Sequence, residues 1–161
     1  MTRGPLIMTV LPTALAVSDM ERSLAFYCNL LGFTVAAELP APAERDRWDR
    51  YHEEVSGVAG AQIRVVYLEA PDGQSHLELI EYLRPKAAPA PRRGLDEPGT
   101  AIVALGLHDS ASAVERLRAA GVEVLSGPVP YETDDGVRSN TTYFYDPDGN
   151  ALCLFEIVSE G

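Results

Sequence analysis

The sequence predicts an α+β fold of two β-α-β-β-β modules in one chain, and three observations carry that expectation. The first is a repeat of elements. Ala14-Leu15-Ala16-Val17-Ser18-Asp19, the run Met20 to Leu31 and Gly32-Phe33-Thr34-Val35 are echoed by Ala104-Leu105-Gly106-Leu107-His108-Asp109, the run Ser110 to Ala120 and Gly121-Val122-Glu123-Val124. A duplicated unit constrains architecture more firmly than any sum of propensities. The second is a repeated turn. Pro71-Asp72-Gly73 leads into Leu77-Glu78-Leu79-Ile80-Glu81, and Pro147-Asp148-Gly149 leads into Leu152-Cys153-Leu154-Phe155-Glu156. The third is the Pro-rich stretch between the copies, with Pro85, Pro89, Pro91 and Pro98 amid Ala and Arg, which reads as a surface linker.

Each copy opens with a strand and passes into a helix. Asp19 and Asp109, or Ser18 and Ser110 beside them, suit N-caps. Leu24, Tyr27, Leu30 and Leu31 form one apolar stripe, and Val114, Leu117 and Ala120 form its counterpart. Gly32 and Gly121 suit the left-handed position that ends a helix, and a strand follows each. Strand-like runs at Gln62 to Glu69 and Thr141 to Tyr145 precede the turns, which feed the last strand of each copy. The expected boundaries are 8–83 for the first module, 84–98 for the linker and 99–157 for the second. Each half is marginal alone, so the two should form one body.

Composition narrows the function. The 161 residues are 46% hydrophobic and 23% charged, an ordinary globular balance. With 24 acidic against 13 basic side chains the formal charge is −11, which sets the chain against phosphate backbones and anionic lipid surfaces, so neither nucleic acid nor membrane is an expected partner. No apolar run approaches the roughly 18 residues of a spanning helix. The opening residues are interrupted by Pro5, Pro12 and Thr13 and lack a small-residue cleavage pattern, so a cytoplasmic protein without targeting segments is expected. Cys28 lies in a helix pattern and Cys153 in an apolar strand pattern, which favours buried thiols over a disulfide. Nucleophile elbow, phosphate loop and paired metal-binding thiols are all missing from the sequence.

The phrase Val17-Ser18-Asp19-Met20-Glu21-Arg22-Ser23-Leu24-Ala25-Phe26-Tyr27 and the closing Asp146-Pro147-Asp148-Gly149-Asn150, at matching places in the repeat, resemble the vicinal oxygen chelate superfamily over residues 8 to 157. That group includes glyoxalase I, methylmalonyl-CoA epimerase, extradiol dioxygenases, fosfomycin-modifying enzymes and bleomycin-sequestering resistance proteins. The resemblance implies a curved mixed sheet around a cup, often in a homodimer, and in the enzymes a divalent metal held by four side chains, two from each module. Carried over by offset, those four positions are Pro12, Glu78, Ile102 and Cys153. One ligand of four remains, and a lone carboxylate does not hold a transition metal that needs three or four donors. No metal and no cofactor are expected. The alternative is a rebuilt site of His76, Glu78 and Cys153.

Glu78 then stands as the candidate general base, because desolvation in an apolar cup raises a carboxyl pKa toward neutrality. His76 and Tyr143 are its candidate proton partners. Trp48, Tyr51, Arg64, Ile102, Cys153 and Phe155 are candidate substrate contacts. Plainer readings stand beside these: a Glu78 hydrogen-bonded by Arg64 or Tyr143, a His76 at a wet strand end, and His52 and His108 in a charged stretch and a helix-entry turn. The stretch Glu44 to Glu54 reads either as an arch bringing Trp48, Tyr51, Arg45, Arg47 and Arg50 to a ligand or as a solvated helix with an Asp46–Arg50 pair. Pro128 to Gly136 reads as the matching loop and a candidate lid. The leading expectation is a small-molecule-binding, metal-independent isomerase, lyase or cyclase of bacterial specialised metabolism or detoxification. The alternatives are a drug-sequestering resistance protein without turnover and a metal-dependent enzyme of the glyoxalase or epimerase kind.

Overall fold

The computed structural model describes residues 11–87 and 91–158; the expected module start at 8 to 10, Pro5 and Pro89 lie outside them. Strand β1 (Thr13–Val17) enters α1 (Met20–Leu24), which continues as a π-helical segment (Ala25–Leu30). Gly32, at φ +89°, ends it, with the Gly32 N–H donating to the Cys28 carbonyl. Strand β2 (Thr34–Leu39), a 3₁₀ turn (Pro42–Glu44), α2 (Arg45–Ser56), β3 (Gln62–Glu69) and β4 (His76–Arg84) follow. The second copy runs β5 (Ile102–Leu107), α3 (Ser110–Ala119), β6 (Val129–Glu132), β7 (Arg138–Tyr145) and β8 (Ala151–Val158).

Each copy makes its own four-stranded mixed sheet, in the orders β1-β4-β3-β2 and β5-β8-β7-β6, with the first and last strands of each copy parallel. The chain divides into two units. The first takes 11–20 and 27–87 of the described residues, and the second takes 21–26 and 91–158. The opening turns of α1 therefore count with the second sheet: Arg22 donates to Asp148 at 2.6 Å, and the Phe26 ring lies 6.5 Å from Phe144. The later part of the linker is fastened to the same unit, where Arg92 pairs with Glu123 at 2.5 Å and sits 4.0 Å over the Tyr145 ring.

Alternation explains the cores. In the first unit Leu77 and Leu79 of β4, Val66 and Leu68 of β3 and Leu15 and Val17 of β1 share a face by register and are buried. Tyr27, fully buried and edge-on to Phe33, belongs to the same unit. In the second unit Phe144, Leu152, Val114 and Leu117 are buried. Each such side chain contributes about 1.5–3 kcal/mol by leaving water. Asp109 caps α3 by accepting from the Ser112 N–H.

Two readings of the sequence are corrected. The expected strand at Val122 to Val124 shrinks to one bridge, Val124 to Phe144, and the strand forms instead at Val129–Glu132, inside the segment read as a candidate lid. Thr133 closes a tight turn there, its side chain accepting from the Val137 N–H, so β6 pairs with β7 rather than arching free. Glu44 to Glu54 falls largely within the helix α2, as the reading of a helix with i,i+4 pairs expected; the pairs formed are Arg45 with Asp49 at 3.4 Å and Arg47 with Glu44, in place of the example Asp46 with Arg50.

Candidate functional site

The register of the first sheet assembles the site. Glu78 is the third residue of β4, with Ala14 of β1 on one side and Tyr67 of β3 on the other, each its direct cross-strand partner. By alternation these side chains share the face opposite the Leu77/Leu79 core face. Ala37 of β2 extends the row as the partner of Tyr67. One small residue flanks the carboxylate on β1, and a phenol stands directly beside it on β3.

Burial pushes the Glu78 carboxyl up, and among the described residues no hydrogen bond or ion pair offsets that cost. The Tyr67 phenol is also pushed up, first by burial, then by the Glu78 charge and then by Tyr51. A phenol raised above its ordinary value stays protonated at neutral pH and keeps its O–H to donate. Tyr67 was missed in the sequence, although a signal was present. Tyr143 was singled out, and Ala104, Cys153 and Tyr143 occupy in the second sheet the register that Ala14, Glu78 and Tyr67 occupy in the first.

The remaining candidates are distributed as follows. His76 shares the Glu78 face at the strand end, but its Nε2 lies 3.6 Å from the Glu69 carboxylate. Arg64 is on the opposite face and donates to Glu38 at 2.7 Å, so it is not the partner of Glu78. Tyr143, Ile102, Cys153 and Phe155 belong to the second unit, on one face of its sheet by register. Burial pushes the Cys153 thiol up, the direction that keeps it protonated. Trp48 and Tyr51 are on α2, which packs on β3 with Arg45 donating to the Ile63 carbonyl at 2.9 Å. His52, set aside in the sequence reading, joins them. Its ring centroid is 4.4 Å from that of Trp48 and 4.9 Å from that of Tyr51.

A family-wide model for the glyoxalase/bleomycin resistance protein/dioxygenase superfamily matches residues 9–154. The chain belongs to this superfamily. Within it, the chain is 31% identical over 146 residues to the Escherichia coli (strain K12) protein YaeR, covering 89% of this chain and 92% of that one. A glyoxalase family protein from Bacillus cereus superposes with a TM-score of 0.79 at 19% identity, covering 99% of this chain and all of that one, and shares the fold. TnmS3, an antibiotic-binding protein from Streptomyces sp. CB03234, does so with a TM-score of 0.58 at 21% identity, over 96% and 100% of the two chains.

The superfamily's metal can be tested against the donors present. Pro12 and Ile102 offer none, the Cys153 thiol is held toward its protonated form and His76 faces Glu69. Among the described residues no three His, Cys, Asp or Glu side chains are grouped to hold an ion. This donor set does not fit the metal. No helix among the described residues is long and apolar enough to cross a membrane.

Proposed function

We propose that the chain binds a small carbonyl compound on the face of the first sheet around Glu78 and acts on it as a metal-independent isomerase, lyase or cyclase. The observation that carries this reading is the direct pairing of Tyr67 with Glu78, a protonated phenol beside a desolvated carboxylate that has no hydrogen-bond partner among the described residues. Glu78 removes a proton from the carbon next to the carbonyl, and Tyr67 donates a hydrogen bond to the oxygen on which charge develops. The proton then returns from Glu78 to a different carbon, or a leaving group departs. Tyr67 takes the place expected for His76 or Tyr143, since His76 is engaged by Glu69. Ala14 and Ala37, in register beside the pair and exposed, add little bulk to that face.

The test is hydrogen–deuterium exchange at the carbon next to the carbonyl in a panel of enolisable ketones beginning with 1-indanone, followed by proton NMR in deuterium oxide. Exchange above buffer that disappears in Glu78→Gln supports the reading. A wild-type protein that exchanges none of the panel, or a variant that exchanges as fast, overturns it.

A second reading is sequestration without turnover. It is favoured by the antibiotic binding attributed to TnmS3 and by the exposed Tyr51, a ring face open to stacking. Affinity for a planar drug that is unchanged by Glu78→Gln, with no reaction in either form, selects it. Either way the proposal includes a cytoplasmic homodimer that recognises neither nucleic acid nor membrane; sedimentation as a 17.4 kDa species argues against the dimer.

A further inference from the structure

Two buried polar atoms among the described residues have no hydrogen-bond partner, the indole Nε1 of Trp48 and the imidazole Nε2 of His52. They belong to one cluster, on successive turns of α2, with ring centroids 4.4 Å apart. Buried polar groups are paired in the great majority of proteins, so two orphans side by side ask for a partner. Arg45, Trp48, Asp49 and His52 follow the i, i+3, i+4, i+7 spacing of one helix face, and Arg45 on that face reaches the Ile63 carbonyl of β3.

The helix that carries them is weakly held. It buries no residue, and Glu44 at its N-cap makes no side-chain cap bond. Its start borders an open cavity of about 620 Å³ lined by Glu38, Pro40, Pro42 and Arg45. Elements with so little burial open at small cost, which is where binding segments are drawn from.

We infer that Trp48 and His52 form a polar anchor for the carbonyl oxygen of a planar, uncharged ligand, admitted when α2 lifts from β3. The indole N–H only donates, so the occupant must present an acceptor to it. Burial pushes the imidazole down and outweighs the pull of Asp49, so His52 is neutral at pH 7 and offers no charge to an anion. The exposed Tyr51, edge-on to His52, adds a ring face for a flat molecule. The anchor serves the catalytic and the sequestering readings equally and depends on neither.

The test uses a matched pair of probes, 1-indanone and indane, which differ by the carbonyl oxygen. Trp48 is the chain's one tryptophan, so fluorescence excited selectively in the indole band, clear of tyrosine absorption, reports on this cluster. Wild-type protein is expected to bind 1-indanone about tenfold more tightly than indane, the size of a well-placed hydrogen bond to each nitrogen. His52→Phe, which keeps a ring and deletes both ring nitrogens, Nε2 among them, should cut that preference to about threefold with the fluorescence readout kept. Trp48→Phe should do the same by ligand-observed NMR. Equal binding of the two probes by wild type, no detectable binding of 1-indanone, an unchanged preference in both variants, or a structure with probe in which only a water meets the two nitrogens would each overturn the inference. Should a variant fail to fold, the wild-type probe ratio still decides. Exchange at 1-indanone is scored separately, so a lost base and a lost anchor give different results.

Discussion

The two sheets are copies of one plan, and they differ at its centre. In the first, Ala14, Glu78 and Tyr67 lie side by side; in the second the same register holds Ala104, Cys153 and Tyr143. The alanine and the tyrosine are common to both copies, and the acid is in one alone. Both central groups are desolvated, yet the consequence differs. Desolvation pushes the half-buried Glu78 carboxyl up, which makes its carboxylate the stronger base, whereas the buried Cys153 thiol becomes a small apolar filler. The connections diverge in the same sense. The link between the second and third strands grows into α2 with its ring cluster in the first unit and is a tight turn at Thr133 to Gly136 in the second. The two sheets keep one plan, and the central acid and the ring cluster of α2 belong to the first alone.

The largest expected effect breaks that asymmetry directly. Glu78→Gln should lower exchange on the ketone panel by about 10²- to 10⁴-fold while leaving probe affinity within about twofold, because the amide keeps shape and loses the base. Next comes the pair Tyr67→Phe and Tyr143→Phe. The first should slow exchange about 10²-fold through loss of a donor to the developing oxyanion, and the second should leave it unchanged. Equal losses in the two would mean that the sheets are not specialised.

Much of this plan was legible from the chain. The repeat, the turn phrases and Gly32 and Gly121 announce the elements, because apolar period and positive φ leave marks in the residue order. Glu78 stood out through the family resemblance, as the one carried-over ligand position that keeps its carboxylate. Tyr67 did not, since which residue faces Glu78 across two strands is set by hairpin register, and the repeat was not applied to Tyr143 to find it. Arg64 was placed with the site although its strand parity turns it to the Glu38 face. The strand β6 was hidden inside a Pro- and Asp-rich stretch whose composition reads as loop. His52 looked like one more polar residue in a charged helix, and only its loss of a partner on packing singles it out.

The turns offer a second comparison. In the second unit Asp146 is 5% exposed and accepts from the Asp148 and Asn150 N–H groups and the Asn150 side chain. Asp146→Ala orphans these donors and should destabilise by about 2 kcal/mol, read as a lower denaturation midpoint. In the first unit Asp72 does a similar task in the open, accepting from Gln74 and Ser75.

Glu78→Gln should have a smaller effect on stability than on exchange, and its sign follows from burial. A carboxyl raised in the folded state contributes stability that is complete below its unfolded value, ordinarily about 4.3, and is lost as pH rises through the folded value. Wild type therefore carries a cost at pH 7 that the amide lacks. The variant should melt higher at pH 7, with the gap closing below about pH 4. A wild type that is the more stable form at neutral pH would mean that Glu78 has a favourable partner and is not poised as a base.

Asp72 should give the smallest effect and the opposite pH dependence. The Ser75 and Gln74 donors hold its carboxyl at about 2, below the ordinary value. A depressed acid contributes stability present above its unfolded value, about 3.9, and lost as pH falls through the folded one. The difference in melting temperature between wild type and Asp72→Ala should thus be constant from pH 7 to about 5 and fade between about 4 and 2. Because the carboxylate is exposed, salt screens what it gains, and the change should fall well below that of Asp146→Ala. A loss as large as that of Asp146 would show that the two turns do equal work, and that the units differ in their central residue rather than in how firmly each hairpin is tied.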